Sequence, residues 1–144
     1  MKKSIISSVL LASSLFISST SFADQGKGLN VLITAPERQS QMMALVLSIQ
    51  TVKKHGKEVN MVLCSSAGDL ALKDTKTEVI KGPDKSPTQM LKALIKLGGS
   101  VTICPLYLPN AGKTKEDLIE GITIAKPPVV AGRLLDTDYT NLSY

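Results

Sequence analysis

The sequence predicts a single α/β domain with a mostly parallel sheet and helices on both of its faces. Short apolar runs of strand type alternate with longer segments in which apolar residues recur at helical spacing. Turn residues, chiefly Gly and Pro, separate these segments, and the sequence contains no internal repeat or linker. Strands alternating with helices are typical of βαβ units, in which a helix leads from one strand to the next parallel strand.

The first 23 residues are interpreted as a signal peptide. Lys2 and Lys3 give a basic start, residues 5–16 form an apolar stretch diluted by serines, and small residues precede the cleavage site. The stretch is short for a membrane span, which needs about 20 mostly apolar residues. We therefore expect cleavage after Ala23, a periplasmic protein without a stable membrane anchor, and one mature domain over residues 24–144.

The first half of this domain contains two predicted strands joined by a helix. Residues 29–35 form the first strand, and Ser40 is a plausible cap for the helix that follows. Cations in the last helical turn and Gly56 just after it indicate where this helix ends. Residues 59–64 form the second strand, which ends in a cysteine, and a short helix over 70–73 follows.

The second half continues the alternation. A helix is predicted over 87–97, ended by two glycines, and a strand follows over 101–104. Thr114, with an acidic residue three positions on, predicts the start of another helix. A short helix is expected from Pro127 through Leu135, and residues 139–144 form a candidate edge strand.

The charge pattern argues against a nucleic-acid partner. Removing Lys2 and Lys3 leaves 15 basic against 12 acidic residues, a net charge of +3. The lysines are scattered, and the whole chain has three Tyr and two Phe. Binding to nucleic acid requires a concentrated basic surface or stacking aromatic residues. The charges are therefore interpreted as a solvated surface.

Cys104 is the candidate functional residue. It ends an apolar run and precedes the proline-containing loop 105–112. Open α/β sheets place their binding and catalytic residues at such junctions, beyond the carboxyl ends of the strands. A thiolate there would be stabilised by backbone amides or by a nearby cation such as Arg38 or Lys113, and Arg38, in the loop after the first strand, is the preferred candidate. The alternative is that Cys104 is a small buried apolar residue, as free cysteines often are.

Other motifs predict neither a cofactor nor a metal. Residues 112–114 (Gly-Lys-Thr) resemble the end of a phosphate-binding loop, but Tyr107 stands where that motif requires its first glycine. His55 is the only histidine, so neither a catalytic triad nor a histidine metal cluster can be assembled. Methionines at helical spacing are better explained by core packing than by copper binding.

The order of these segments resembles the DsrE/DsrF-like family of small α/β proteins with a flavodoxin-like sheet. The resemblance covers essentially the whole mature chain and depends on the order of six short motifs: Ala-Pro (35–36), His-Gly-Lys-Glu-Val (55–59), Ser-Ser-Ala-Gly (65–68), the helix and double glycine of 86–99, the strand ending in Cys104, and Leu-Ile-Glu-Gly-Ile (118–122). It implies that Cys104 carries a persulfide exchanged with a sulfur donor or acceptor protein, and that the protein is a homo-oligomer. The loop departs from relay members in having two prolines and no Arg.

A flavodoxin-like sheet also implies a strand order of 2-1-3, with the first strand in the middle. Arg38 and Cys104 would then lie above adjacent strands. Cys64 and Cys104 would lie on either side of the first strand, roughly 10 Å apart, whereas a disulfide requires Cα atoms within about 7 Å. We therefore expect no disulfide and a core position for Cys64.

These observations lead to two functional hypotheses. The first is a periplasmic sulfur-handling or thiol-binding protein in which Cys104 is the sulfur acceptor and Arg38 or backbone amides stabilise its thiolate. The second is a non-catalytic interaction subunit that keeps the fold and the oligomeric state and uses Cys104 only for packing. Reactivity of the Cys104 thiol distinguishes them.

Overall fold

The computed structural model describes residues 26–144, so the signal peptide expected over residues 1–23 and the cleavage after Ala23 lie outside the described residues. The strands are β1 (Gly28–Ile33), β2 (Glu58–Leu63), β3 (Ser100–Ile103), β4 (Ile122–Ile124) and β5 (Tyr139–Ser143). The helices are α1 (Arg38–His55), α2 (Pro87–Lys96), α3 (Tyr107–Asn110) and α4 (Pro127–Leu135), with 3-10 helices at Ser65–Ala71 and Lys115–Asp117. None of the helices described here is both long and apolar enough to cross a bilayer.

The five strands form an entirely parallel sheet in the order β4-β3-β2-β1-β5. The predicted fold class, a flavodoxin-like α/β domain with helices on both faces of the sheet, is confirmed. The expected strand order is wrong, because β2 and not β1 lies in the middle of the first three strands. The chain continues past β2 to place β3 on its far side, and β5 returns to pair with the free edge of β1.

One face of the sheet forms the hydrophobic core. Alternate strand residues project from it and pack against apolar residues of α1 and α2, as the two-residue period of a strand requires. The strand residues in this core are Val31, Ile33, Val59, Met61, Leu63, Val101, Ile103 and Ile122. The core therefore fixes the register of the strands whose carboxyl ends carry the two cysteines.

The opposite face of the sheet is covered by α4 through a row of asparagines. Asn141, Asn30 and Asn60 are paired across β5, β1 and β2. Asn60 Nδ2 donates to Asn30 Oδ1 at 3.2 Å, and Asn30 Nδ2 donates to Asn141 Oδ1 at 3.0 Å. Asn30 Nδ2 also donates to the carbonyl of Arg133 at 2.5 Å, and Asn141 Nδ2 to that of Leu134 at 2.7 Å. These amides donate to carbonyls of the last turn of the helix, where the regular helical hydrogen-bond pattern ends.

Most of the predicted elements are confirmed, with shifted boundaries. Helix α1 begins before Ser40, with Glu37 as its cap, and ends at Gly56 in the left-handed conformation with φ 62°. The helix expected over 70–73 is instead the 3-10 helix Ser65–Ala71. The expected edge strand at the carboxyl end is β5, beside β1.

The helix expected to begin at Thr114 is wrong beyond its first turn. Thr114 and Asp117 do form the anticipated capping interaction, with the Thr114 amide donating to Asp117 Oδ2 at 2.8 Å. The helix stops there because Leu118 forms an antiparallel bridge with Leu72, and the Ile119 amide donates to the Ala71 carbonyl at 2.8 Å. These tertiary hydrogen bonds hold the backbone extended, and the chain continues into β4, which was not predicted.

Candidate functional site

Cys64 and Cys104 lie side by side at the carboxyl ends of β2 and β3. Leu63 and Ile103 are the last paired residues of these strands, and the cysteines follow them directly. The parallel hydrogen-bond pattern continues through both cysteines, since the Cys64 amide donates to the Ile33 carbonyl at 2.9 Å and the Cys104 amide to the Leu63 carbonyl at 2.8 Å. Neighbouring strands are spaced by about 4.8 Å. The expected separation of the cysteines was therefore wrong, because it placed β1 between them.

Both cysteines are free thiols and both are half-buried. The expected core position of Cys64 is wrong, because the residue lies half-buried just beyond the carboxyl end of β2 and outside the buried apolar cluster. Burial, followed by the hydrogen bond to Cys104 and the electrostatic effect of that side chain, raises the pKa of the Cys64 thiol to about 12. Cys64 is therefore a protonated thiol at neutral pH, within hydrogen-bonding reach of Cys104.

Cys104, and not Cys64, lines a surface pocket between the segments that follow β2 and β3. The side chain of Leu106 beside it is 69% exposed, so an apolar group accompanies the thiol at the surface. The lining combines polar and apolar side chains and consists of Ser65, Ser66, Asp69, Cys104, Leu106, Tyr107, Asn110 and Ala111. A small thiol or the tip of a partner's side chain can reach Cys104 through this pocket.

Tyr107 joins the two walls of the pocket. Its hydroxyl donates a hydrogen bond to the Asp69 carboxylate, and its ring lies against Gly68, where an added Cβ would come within 2.3 Å of a ring carbon. Burial, and then the bond to Asp69, raise the pKa of Tyr107. The ring therefore remains a neutral hydrogen-bond donor that fixes the loop after Cys104 against the 3-10 helix after Cys64. This role of Tyr107 was not predicted from the sequence, in which the residue is evident only as a departure from a phosphate-binding loop.

Ser65 introduces a sharp turn directly after Cys64. Its φ is 50°, in the left-handed region that residues other than glycine rarely occupy. Such strain costs about 1–3 kcal/mol and concentrates at functional sites. Here the turn ends β2 abruptly and brings Ser65 and Ser66 to the wall of the pocket.

Arg38 lies at the start of α1 and forms an ion pair with Glu78. Its expected proximity to Cys104 depended on β1 and β3 being neighbours, and β2 separates them. Arg38 is not one of the residues that line the Cys104 pocket. The stabilisation of the Cys104 thiolate by Arg38 stays a prediction, and the observed strand order does not support it.

Within residues 26–144, no group of three or more His, Cys, Asp or Glu side chains lies close enough together to hold a metal ion. The site contains two sulfur atoms, one in the Cys104 thiol that lines the pocket and one in the Cys64 thiol next to it. The signal that could have found Cys64 was its position at the end of a predicted strand, which becomes informative only once β2 and β3 are known to be neighbours.

No protein-family model and no curated protein sequence matches the chain. Among solved structures, the chain is similar to the YchN protein of E. coli, with a TM-score of 0.67 and 21% identity over 81% of this chain and 99% of that one. It is also similar to MTH1491, a protein of unknown function from Methanobacterium thermoautotrophicum, with a TM-score of 0.60 and 13% identity over 81% of this chain and 98% of that one. At these identities the likeness concerns the fold alone: the chain shares the flavodoxin-like α/β fold with these two proteins.

Proposed function

We propose that the protein handles sulfur in the periplasm, with Cys104 accepting a sulfane sulfur and carrying it as a persulfide. The observation that carries this proposal is the position of Cys104, which lies at the carboxyl end of β3, an interior parallel strand, and in the wall of an open pocket. This is the edge at which open α/β sheets bind their ligands. The shared flavodoxin-like α/β fold supports the proposal without specifying the reaction.

The transfer step is an exchange between sulfur atoms. The Cys104 thiolate attacks the outer sulfur of a donor persulfide, R–S–SH. A bond forms between Cys104 Sγ and that sulfur, the donor's S–S bond breaks, and the donor leaves as a thiolate that takes up a proton. The oxidation levels are conserved, so no oxidant or reductant is needed. The attack follows the rules of thiol–disulfide exchange, in which the thiolate is the reacting species.

The walls of the pocket suit a persulfide and a protein partner. The hydroxyl groups of Ser65 and Ser66 are hydrogen-bond donors at the same pocket as Cys104, and a perthiolate is an anion that accepts such bonds. Leu106 adds an exposed apolar side chain at the rim. A donor or acceptor protein would dock over Leu106 and present its own thiol to Cys104.

The alternative function is that of a non-catalytic interaction subunit, and the surface of α4 favours it. Val129 and Leu135 of this helix are exposed, the latter by 81%, and α4 has no buried residue in the single chain. Exposed apolar surface of this kind is found at protein contacts. Homo-oligomerisation through α4 is compatible with either function, whereas an inert Cys104 is compatible only with the second.

Sulfur uptake can be tested by mass spectrometry. Reduced protein is incubated with glutathione persulfide, desalted and measured intact. We expect a gain of about 32 Da, one sulfur atom, on the peptide that contains Cys104. The Cys64→Ala variant should still take up sulfur, and the Cys104→Ser variant should not. Uptake that survives Cys104→Ser, or a Cys104 that neither gains sulfur nor reacts with iodoacetamide in the native state, favours the interaction subunit.

Export is tested separately. The mature protein is expected in the periplasmic fraction, lighter than the full chain by about 2.3 kDa at about 0.1 kDa per residue. Protein of full length in the cytoplasm, or protein held firmly in the membrane, contradicts the location.

A further inference from the structure

We infer that Cys64 is a resolving thiol, which displaces the sulfur carried by Cys104, releases it as sulfide and leaves a Cys64–Cys104 disulfide. The inference rests on the proposed function, since it concerns the fate of the sulfur that Cys104 accepts. It assigns a reaction to a residue that sulfur uptake itself does not use.

The backbone brings the two sulfur atoms together. The cysteines directly follow Leu63 and Ile103, the last paired residues of two neighbouring parallel strands, and both of their amides remain in the hydrogen-bond pattern of the sheet. Side chains at paired positions leave the sheet on the same side, with backbones about 4.8 Å apart. A disulfide needs Cα atoms about 4.4–6.8 Å apart. The Cys64 thiol already lies within hydrogen-bonding reach of Cys104, so the bond can form without a rearrangement of the sheet.

The reaction balances without an external oxidant. Cys64 Sγ attacks Cys104 Sγ, which is the inner sulfur of the persulfide. A bond forms between the two cysteine sulfurs, and the bond between Cys104 and the carried sulfur breaks. The carried sulfur leaves with the electron pair of that bond and with the proton of Cys64, and is released as hydrogen sulfide. The carried sulfur is reduced by two electrons, and the two cysteine thiols are oxidised to the disulfide.

The surroundings of the two thiols set the order of events. Cys104 lines the pocket and meets the donor, whereas Cys64 lies beside it and is not part of the lining. Burial keeps Cys64 protonated at neutral pH, and a protonated thiol is a poor nucleophile. Resolution is therefore slow compared with loading, which leaves time for an acceptor to take the sulfur. When no acceptor arrives, Cys64 displaces the carried sulfur from Cys104 as sulfide and forms the disulfide. An external dithiol reductant must then reduce that disulfide before Cys104 can accept sulfur again.

The test follows loaded protein after the donor is removed. Reduced wild-type protein is loaded with glutathione persulfide, desalted, and sampled over time by intact mass without reductant and by a sulfide assay. We expect the species heavier by about 32 Da to convert into one lighter than the reduced protein by about 2 Da, with one sulfide released per chain. Peptide mapping should find Cys64 joined to Cys104.

Two matched variants identify the resolving thiol. Cys64→Ala and Cys64→Ser should load like the wild type and then release sulfide about tenfold more slowly or not at all, because only a thiol can close the bond. The pair of variants separates loss of the thiol from any effect of a buried hydroxyl. Equal sulfide release from these variants and the wild type overturns the inference.

The other outcomes distinguish the inference from the function on which it rests. Wild-type protein that gains the sulfur and keeps it, with no disulfide, overturns the inference and leaves sulfur carriage intact. Failure of every variant to gain sulfur overturns both. A measurement without sulfur checks the geometry: diamide should oxidise the reduced wild-type protein to a disulfide within one chain, and a bond found only between chains overturns the inference.

Discussion

The hydroxyl of Tyr107 donates a hydrogen bond to the carboxylate of Asp69, and this contact joins the segments that follow the two cysteines. Tyr107 begins α3, three residues after Cys104, and Asp69 lies in the 3-10 helix that follows Cys64. The same ring covers Gly68. Tyr107 therefore positions the walls of the pocket, and its substitution should separate structure from reactivity.

Tyr107→Phe removes the hydrogen bond and keeps the ring. We expect a loss of about 1–2 kcal/mol in the free energy of unfolding, the usual range for a hydrogen bond to a charged group that is partly exposed. Urea denaturation measures the change. The yield of sulfur on Cys104 should be preserved, since the phenol does not transfer sulfur. A variant as stable as the wild type, yet unable to load, would instead assign Tyr107 to the reaction.

Gly68→Ala should be destabilising because the new methyl group meets the Tyr107 ring. An added Cβ would lie 2.3 Å from the nearest ring carbon, and the ring is held by Asp69. Overpacking of this kind costs about 1–3 kcal/mol. The control is the same substitution in a Tyr107→Ala background, where the cost should largely disappear. An equal cost of Gly68→Ala in both backgrounds would show that the ring is not the cause.

The alternation of strands and helices could be predicted from local sequence because it depends on local chemistry. Helix α1 ends before Gly56, as the cations of its last turn and the glycine indicated, and Gly56 adopts the left-handed conformation. Helix α4 begins at Pro127 as expected. The strand order could not be predicted in this way. The apolar pattern of β1 shows that it is buried in a sheet, but not whether β3 or β5 fills its second edge, because that choice depends on contacts distant in sequence.

The candidate site was predictable to the same extent. Cys104 could be identified because a thiol at the junction of strand and loop is informative by itself. Cys64 could not be recognised as its neighbour, because the expected order 2-1-3 places the first strand between the two cysteines. The same expected order wrongly placed Arg38 above a strand adjacent to that of Cys104. The asparagine row likewise becomes visible only when β5, β1 and β2 are placed in register.

The pair of thiols should make stability fall in alkaline solution. Burial and Cys104 raise the pKa of Cys64 from its ordinary 9.0 to about 12, so above pH 9 the unfolded chain loses this proton before the folded one does. The stabilisation is complete below pH 9.0 and declines as pH rises towards 12. Urea denaturation with reductant present, at about pH 8 and about pH 10.5, should show this decline.

The control for the alkaline decline is Cys64→Ala, which should show a weaker dependence on pH over the same window. Tyr107 contributes in the same direction, since burial and Asp69 also raise its pKa, so the comparison is repeated in a Tyr107→Phe background. Identical pH dependence with and without Cys64 would show that its thiol is not desolvated as described.

Asn30→Ala should loosen α4 from the sheet. Asn30 is 3% exposed, and its side chain bonds Asn60, Asn141 and the Arg133 carbonyl. Its removal leaves polar groups without partners beneath the helix, and each buried group left unsatisfied costs about 1–3 kcal/mol. Hydrogen exchange should rise over Pro127–Leu135 and change little over α1. Uniform exchange across both helices would contradict a local role for the asparagine row.

Arg38→Ala tests whether this residue acts on Cys104. Arg38 pairs with Glu78 in an exposed contact, and β2 separates the strand before it from the strand that carries Cys104. Charges that are exposed and distant are screened by salt over about 10 Å at 0.1 M. We therefore expect the rate of Cys104 alkylation at neutral pH, measured with Cys64→Ala as the shared background, to change by less than about twofold on Arg38→Ala. Glu78→Ala is the matched control, because it frees Arg38 without removing its charge. A drop of about tenfold in the rate for Arg38→Ala alone, the effect of one pKa unit, would return Arg38 to the site as a stabiliser of the thiolate.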